Sequence, residues 1–126
     1  MSKRTVTTNK APKAVGPYSQ AIEANGFLFI SGQIPINPET GVIEAQDVEG
    51  QTHQVVQNIR AILNEENLTL NDVVKTTCLL TSMESFTTMN RVYAEYFGES
   101  MPARVTFAVD GLPLGALVEI EAVAVR

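Results

Sequence analysis

Residues 47–67 read DVEGQTHQVVQNIRAILNEEN, and residues 72–81 just beyond them read DVVKTTCLLT. In the first stretch Val48, Thr52, Val55, Val56, Ile59, Ile62 and Leu63 recur at the spacing of one helix face. Asp47 can cap its start, and Asn67 can end it in the left-handed region. The second stretch is rich in β-branched residues and reads as a strand. No internal repeat, low-complexity tract or linker interrupts the chain, which therefore reads as one domain.

Working outward, a second helix is predicted over about 82–97, with Phe86, Met89, Asn90, Tyr93, Tyr96 and Phe97 on its stripe. Thr81 and Glu84 suit a capping box at its start, and Gly98 suits a stop at its end. Strands follow at 103–109 and 116–125, separated by the turn DGLPLG. Upstream, AIEANGFLFISG (21–32) reads as a hairpin about Asn25-Gly26, where both positions tolerate positive φ. NPETG (37–41) is a turn, RTVTT (4–8) a short strand, and NKAPKAVGPYSQ (9–20) a loop. The order is β, β-hairpin, α, β, α, β, β. It predicts one α+β domain over 1–126, a mixed six-stranded sheet with both helices on one face. FLFI and LVEIEAVAV are too apolar for water, so the face without helices is expected to pack on another subunit.

The 126 residues carry nine Lys and Arg against fourteen Asp and Glu, a net charge of −5. That balance argues against an extended phosphate track, and nucleic acid is not an expected partner. Lys3, Arg4, Lys10 and Lys13 leave only a local basic cluster. The apolar fraction of 44% is that of a chain able to bury a core without metals or disulfides. One cysteine, no apolar leader and no membrane-length apolar run set the expectation of a soluble cytoplasmic protein.

Few residues offer chemistry. One His and one Cys cannot build the usual zinc site, and no Walker or dinucleotide glycine loop is present. His53 falls beside the stripe of the first helix and reads as a flanking residue. Cys78 reads as a buried strand residue. Arg104 stands at the head of an otherwise apolar strand, on the same face as Thr106. A guanidinium there needs a partner. Two readings fit: an internal pair with Glu119 or Glu121, or a fork onto the carboxylate of a small ligand. Asn90, an amide on an apolar stripe, either ties its helix to a strand end or lines a pocket. Tyr18 sits in a loop able to cover a pocket, and Ser31-Gly32 ends a strand where N–H groups become free.

GPYSQAI (16–22), ISGQIPINPETG (30–41), PARVTFAV (102–109) and LVEIEAVAV (117–125) together resemble the signatures of the Rid family, also called YjgF or L-PSP. The resemblance runs almost end to end. It implies a chorismate-mutase-like fold, a homotrimer whose sheets form a central barrel, and a pocket at each subunit interface. It also implies hydrolysis of reactive 2-imino acids, formed by serine and threonine dehydratases, to 2-keto acids and ammonia, with no cofactor or metal. Under it Arg104 matches the arginine that binds the substrate carboxylate and Glu119 the glutamate that orients the water. Tyr18, Ser31, Gly32, Asn90 and Thr106 match pocket positions. Thr106 departs from a position often held by Cys, and Asp110 from one more often small. A carboxylate-binding regulatory trimer without turnover, and an endoribonuclease, are the other readings.

Overall fold

The computed structural model describes residues 2–126. Strands β1 (Arg4–Val6), β2 (Ala21–Ala24) and β3 (Phe27–Gln33) come first, then helix α1 (Val48–Glu65). Strand β4 (Val73–Leu80), helix α2 (Phe86–Phe97), and strands β5 (Ala103–Ala108) and β6 (Val118–Val125) complete the chain. The six strands form one sheet in the order β1-β2-β3-β6-β4-β5. Only β4 and β5 run parallel, because α2 is the crossover between them. The mixed six-stranded α+β sheet expected from the sequence is therefore present.

The central helix forms as its residues dictate. Asp47 accepts from the Gly50 N–H, and Asn67 takes φ 58° just past its end. Val55, Val56, Ile59, Ile62 and Leu63 are fully buried. They pack with Leu28 and Ile30 of β3 and with Val118, Ile120, Ala122 and Ala124 of β6 in one core. Asn25 and Gly26, at φ 55° and 84°, make the expected hairpin turn.

Two details of α2 differ from expectation. The Thr81/Glu84 capping box does not form. Instead Ser82 caps a 3-10 turn over Met83–Ser85 by accepting from the Glu84 N–H, and α2 begins after it. Gly98 stays right-handed at φ −63°, and the chain reverses at Met101, φ 48°. A Cβ at Gly98 would strike the Ala94 carbonyl oxygen, so steric clearance rather than a left-handed turn accounts for this glycine.

Alternation then sorts the sheet into two faces. Thr76, Cys78 and Leu80 of β4 alternate onto the buried side with Ile120 and Ala122 of β6, under the helices. The opposite side carries Phe27, Phe29, Val105 and Phe107, each 39–46% exposed. Among the described residues these side chains stay exposed on that apolar side.

Candidate active site

The residues singled out in the sequence fall into two groups, one on each face of the sheet. Arg104 pairs in register with Thr76 and therefore lies on the helix side, at the edge made by β5. Its guanidinium sits 4.8 Å over the Tyr93 ring and 5.6 Å over Phe86, both on α2. Its Nη1 donates to Asn90 Oδ1 at 2.7 Å. Asn90 thus steers the arginine from α2. Among the described residues no carboxylate pairs with Arg104, so the internal partner Glu119 or Glu121 allowed by the sequence is not used.

Around this arginine lies a pocket of about 400 Å³ that includes Asn90, Tyr93, Phe97, Met101 and Pro102. Thr106 follows Arg104 by one pleat, as expected, and stands beside Cys78 across the β4–β5 pair. Its Oγ1 is buried with no hydrogen-bond partner. Such an atom is a donor and acceptor held in reserve or a small local strain. Burial pushes the Cys78 thiol up to about 11, so this cysteine is a core residue. The Tyr93 hydroxyl, also raised by burial, shares a 2.7 Å hydrogen bond with Thr76.

Glu119 faces the other way. It alternates with the buried Val118 and Ile120 and pairs in register with Leu79. It lines a groove of about 630 Å³ together with Tyr18, Ser31 and Gly32. Gly32 lies in the irregular stretch of β3 between Ile30 and Gln33. A Cβ there would collide with the Glu119 carboxylate, so glycine is what lets that carboxylate lie against the backbone. Burial lifts the Glu119 carboxyl above its ordinary value, and Glu121, two residues along the same face, adds to the shift. No cation offsets it among the described residues.

Tyr18 and Ser31 hold the groove's wall. Ser31 Oγ donates to the Ser19 carbonyl at 2.6 Å, and the Ser31 N–H donates to Gln20 O at 3.0 Å. These bonds pin the loop carrying Tyr18 onto β3. The Tyr18 hydroxyl accepts from the Val15 N–H at 3.4 Å.

Four buried amides were not foreseen, Gln20, Gln33, Gln51 and Asn58, and three of them brace loop backbone. Gln20 Nε2 donates to the carbonyls of Thr8, Ala11 and Pro12, and its Oε1 accepts from the Thr8 N–H. Gln51 donates to Ala45 O and accepts from Leu117 N–H, so α1 holds the start of β6 where Glu119 lies. Asn58 donates to Ile34 O and Ile36 O. Each satisfies loop backbone that would otherwise be buried unpaired. The available signal was polar amides within or beside apolar runs, as for Asn90. His53 lies on α1 beside its buried stripe, as expected, with Nδ1 2.7 Å from the Tyr96 hydroxyl.

Among the described residues neither the Arg104 guanidinium nor the Glu119 carboxylate has a counter-ion, and the two lie on opposite faces of the sheet. Comparison with known proteins places the chain. Residues 8–126 match the family model described as endoribonuclease L-PSP, and the chain belongs to that family, the Rid family of the sequence reading. It is 56% identical over 124 residues to a RutC family protein of Pyrococcus horikoshii, covering 98% of each. It is 42% identical over 124 residues to the 2-iminobutanoate/2-iminopropanoate deaminase of Mus musculus, covering 98% of this chain and 92% of that one. It superposes on E. coli TdcF with bound serine at TM-score 0.92 and 39% identity, covering 98% of both chains.

Proposed function

We propose that this protein hydrolyses 2-imino acids, of the 2-iminobutanoate and 2-iminopropanoate type, to 2-keto acids and ammonia. The observation that carries the reading is the Glu119 carboxylate, unpaired with any cation, lifted in pKa, and laid against Gly32 in a groove. A carboxylate so placed is a stronger base than an exposed one and suits the activation of water. A protonated imine is already electrophilic, so a water held at Glu119 can add to its carbon. The C–N bond then breaks, leaving the keto acid and ammonium. Arg104 supplies the fork that holds the substrate carboxylate, and positioning contributes much of the rate. The relative named a deaminase supports this activity, and serine bound to TdcF supports an amino-acid-like ligand.

One chain keeps Arg104 and Glu119 on opposite faces of its sheet. The working site therefore needs Arg104, Asn90 and Thr106 from one copy and Tyr18, Ser31, Gly32 and Glu119 from another. The apolar face of Phe27, Phe29, Val105 and Phe107 is the surface on which copies meet, as a homotrimer. The endoribonuclease reading gains no support from a net charge of −5 or from a lone histidine engaged by Tyr96.

The test couples the protein to a threonine dehydratase and follows 2-keto acid release. Wild type accelerates release, while Arg104→Ala and Glu119→Gln each lose the acceleration. Refolded together, the two dead variants regain part of it, because some interfaces pair the two intact halves. No acceleration by wild type on any imino acid overturns the deaminase reading. A wild type that binds 2-keto acids without turnover favours the regulatory trimer. Mixed assemblies that regain nothing overturn the shared site.

A further inference from the structure

Four non-glycine residues hold positive φ among the described residues: Asn25, Asn67, Met101 and Leu114. The two asparagines close a hairpin and a helix, positions where a short amide side chain tolerates the left-handed region. Met101 and Leu114 have no such amide, and their Cβ atoms press toward the following carbonyl oxygen. Both line the half-sites: Met101 the Arg104 pocket, Leu114 the Glu119 groove. A second observation picks out the same places. Among the described residues the three most exposed large hydrophobic side chains are Val15 at 83%, Met101 at 76% and Leu114 at 72%. Val15 lines the Glu119 groove with Leu114.

The turn that carries Leu114 is fixed by Pro113 before it, by the Gly115 N–H donating to Leu112 O, and by the Ala116 N–H donating to Pro113 O. Leu114 is thus presented outward at φ 57°, ψ 25°, not folded into the core. Val15 belongs to the loop that carries Tyr18. Strain and unburied apolar surface coincide at the mouth of one groove, where a ligand could use them.

We propose that Leu114 and Val15 form an apolar rim over Glu119 that grips the aliphatic side chain of the 2-imino acid and favours chains longer than methyl. The proposal rests on the deaminase reading and deepens it. With the substrate carboxylate on Arg104 and the imine carbon toward Glu119, the side chain is the substituent left to meet the groove wall. Ile34, Ile36 and Pro113 extend that wall as further apolar surface. The left-handed backbone keeps the leucine exposed in the lining of the groove that holds Glu119.

The experiment uses imines generated from alanine and norvaline by an amino-acid oxidase with catalase, their decay followed by semicarbazide trapping. The readout is the kcat/KM ratio of the norvaline-derived to the alanine-derived imine. Leu114→Asn suits the left-handed turn but removes the apolar side chain; it lowers the ratio by about tenfold, mainly through KM of the longer substrate. Val15→Ser lowers it in the same direction, and Leu114→Met restores it. An unchanged ratio in Leu114→Asn and Val15→Ser, with wild type active, overturns the rim and leaves the deaminase reading standing. Both substrates falling together, with a change in assembly mass by light scattering, also overturns it, since Leu114 would then pack between copies. No turnover by wild type overturns both.

Discussion

Glu66 and Glu119 are carboxylates near opposite ends of β6, Glu66 beside Arg126 just past its end and Glu119 near its start, and they are treated in opposite ways. Glu66, just past α1, is gripped by Arg4 from β1 and by Arg126 after β6, and Arg126 also donates to the Glu66 carbonyl. These partners hold its carboxyl below the ordinary value, the hydrogen bond from Arg4 first. Glu119 has no cation and a carboxylate neighbour, and its carboxyl is held above the ordinary value. The contrast separates a group that serves the fold from one that the fold tolerates. A closed charge network ties the chain's first strand, central helix and last strand together. An open one leaves a base in reserve.

The sharpest way to break the comparison is to neutralise each carboxylate. Glu119→Gln is expected to cost about 10²–10⁴-fold in kcat, the usual scale of a lost general base. The same change is expected to leave the Tm equal or higher. A carboxyl with a raised native pKa binds its proton more tightly folded than unfolded, so its ionised form costs stability above that pKa and the cost is relieved as pH falls. A Tm that drops would make Glu119 a structural residue. The wild-type rate should fall on acidification at a pH above the ordinary carboxylate range, as protonation removes the base.

Gly32→Ala comes next. The new Cβ must displace the Glu119 carboxylate, so activity should fall by roughly 10²-fold while the helical circular-dichroism signal persists. Full activity in this variant would mean that Glu119 works from another position. Glu66→Gln sits at the other pole. It should leave the rate intact and lower Tm by roughly 4 °C, since ion pairs whose arginines reach the surface typically contribute about 1 kcal/mol. A carboxyl with a lowered native pKa stabilises the fold above its unfolded pKa and loses that contribution as pH falls through the native one. The gap between wild type and Glu66→Gln should therefore close in acid, which thermal melts across pH would reveal. The smallest effect is expected at Cys78: a fully buried thiol pushed up to about 11 should resist a disulfide reagent until the chain unfolds.

The sequence carried the architecture because its signals were local and repeated. Seven periodic positions and an aspartate cap define α1, and Asn-Gly defines the hairpin. The α2 start lies later than the Thr81 cap would put it, because Ser82 caps a 3-10 turn over Met83–Ser85 first and α2 begins at Phe86 without a side-chain cap. Alternation correctly put Arg104 and Thr106 on one face. It could not say that Glu119 lies on the other, because that depends on how β4, β5 and β6 are registered across the sheet. The reason for Gly32 is equally non-local: the carboxylate that a Cβ would displace comes from a strand far along the chain.

Under the proposed shared site, a sheet that divides its half-sites between copies would tie chemistry to abundance. Where the halves meet only between copies, a lone chain is inert, and rate per chain falls on dilution rather than staying constant. Such a protein would switch on as it accumulates. A lesion in either half would also be masked by intact copies, so damaged alleles would behave as recessive ones.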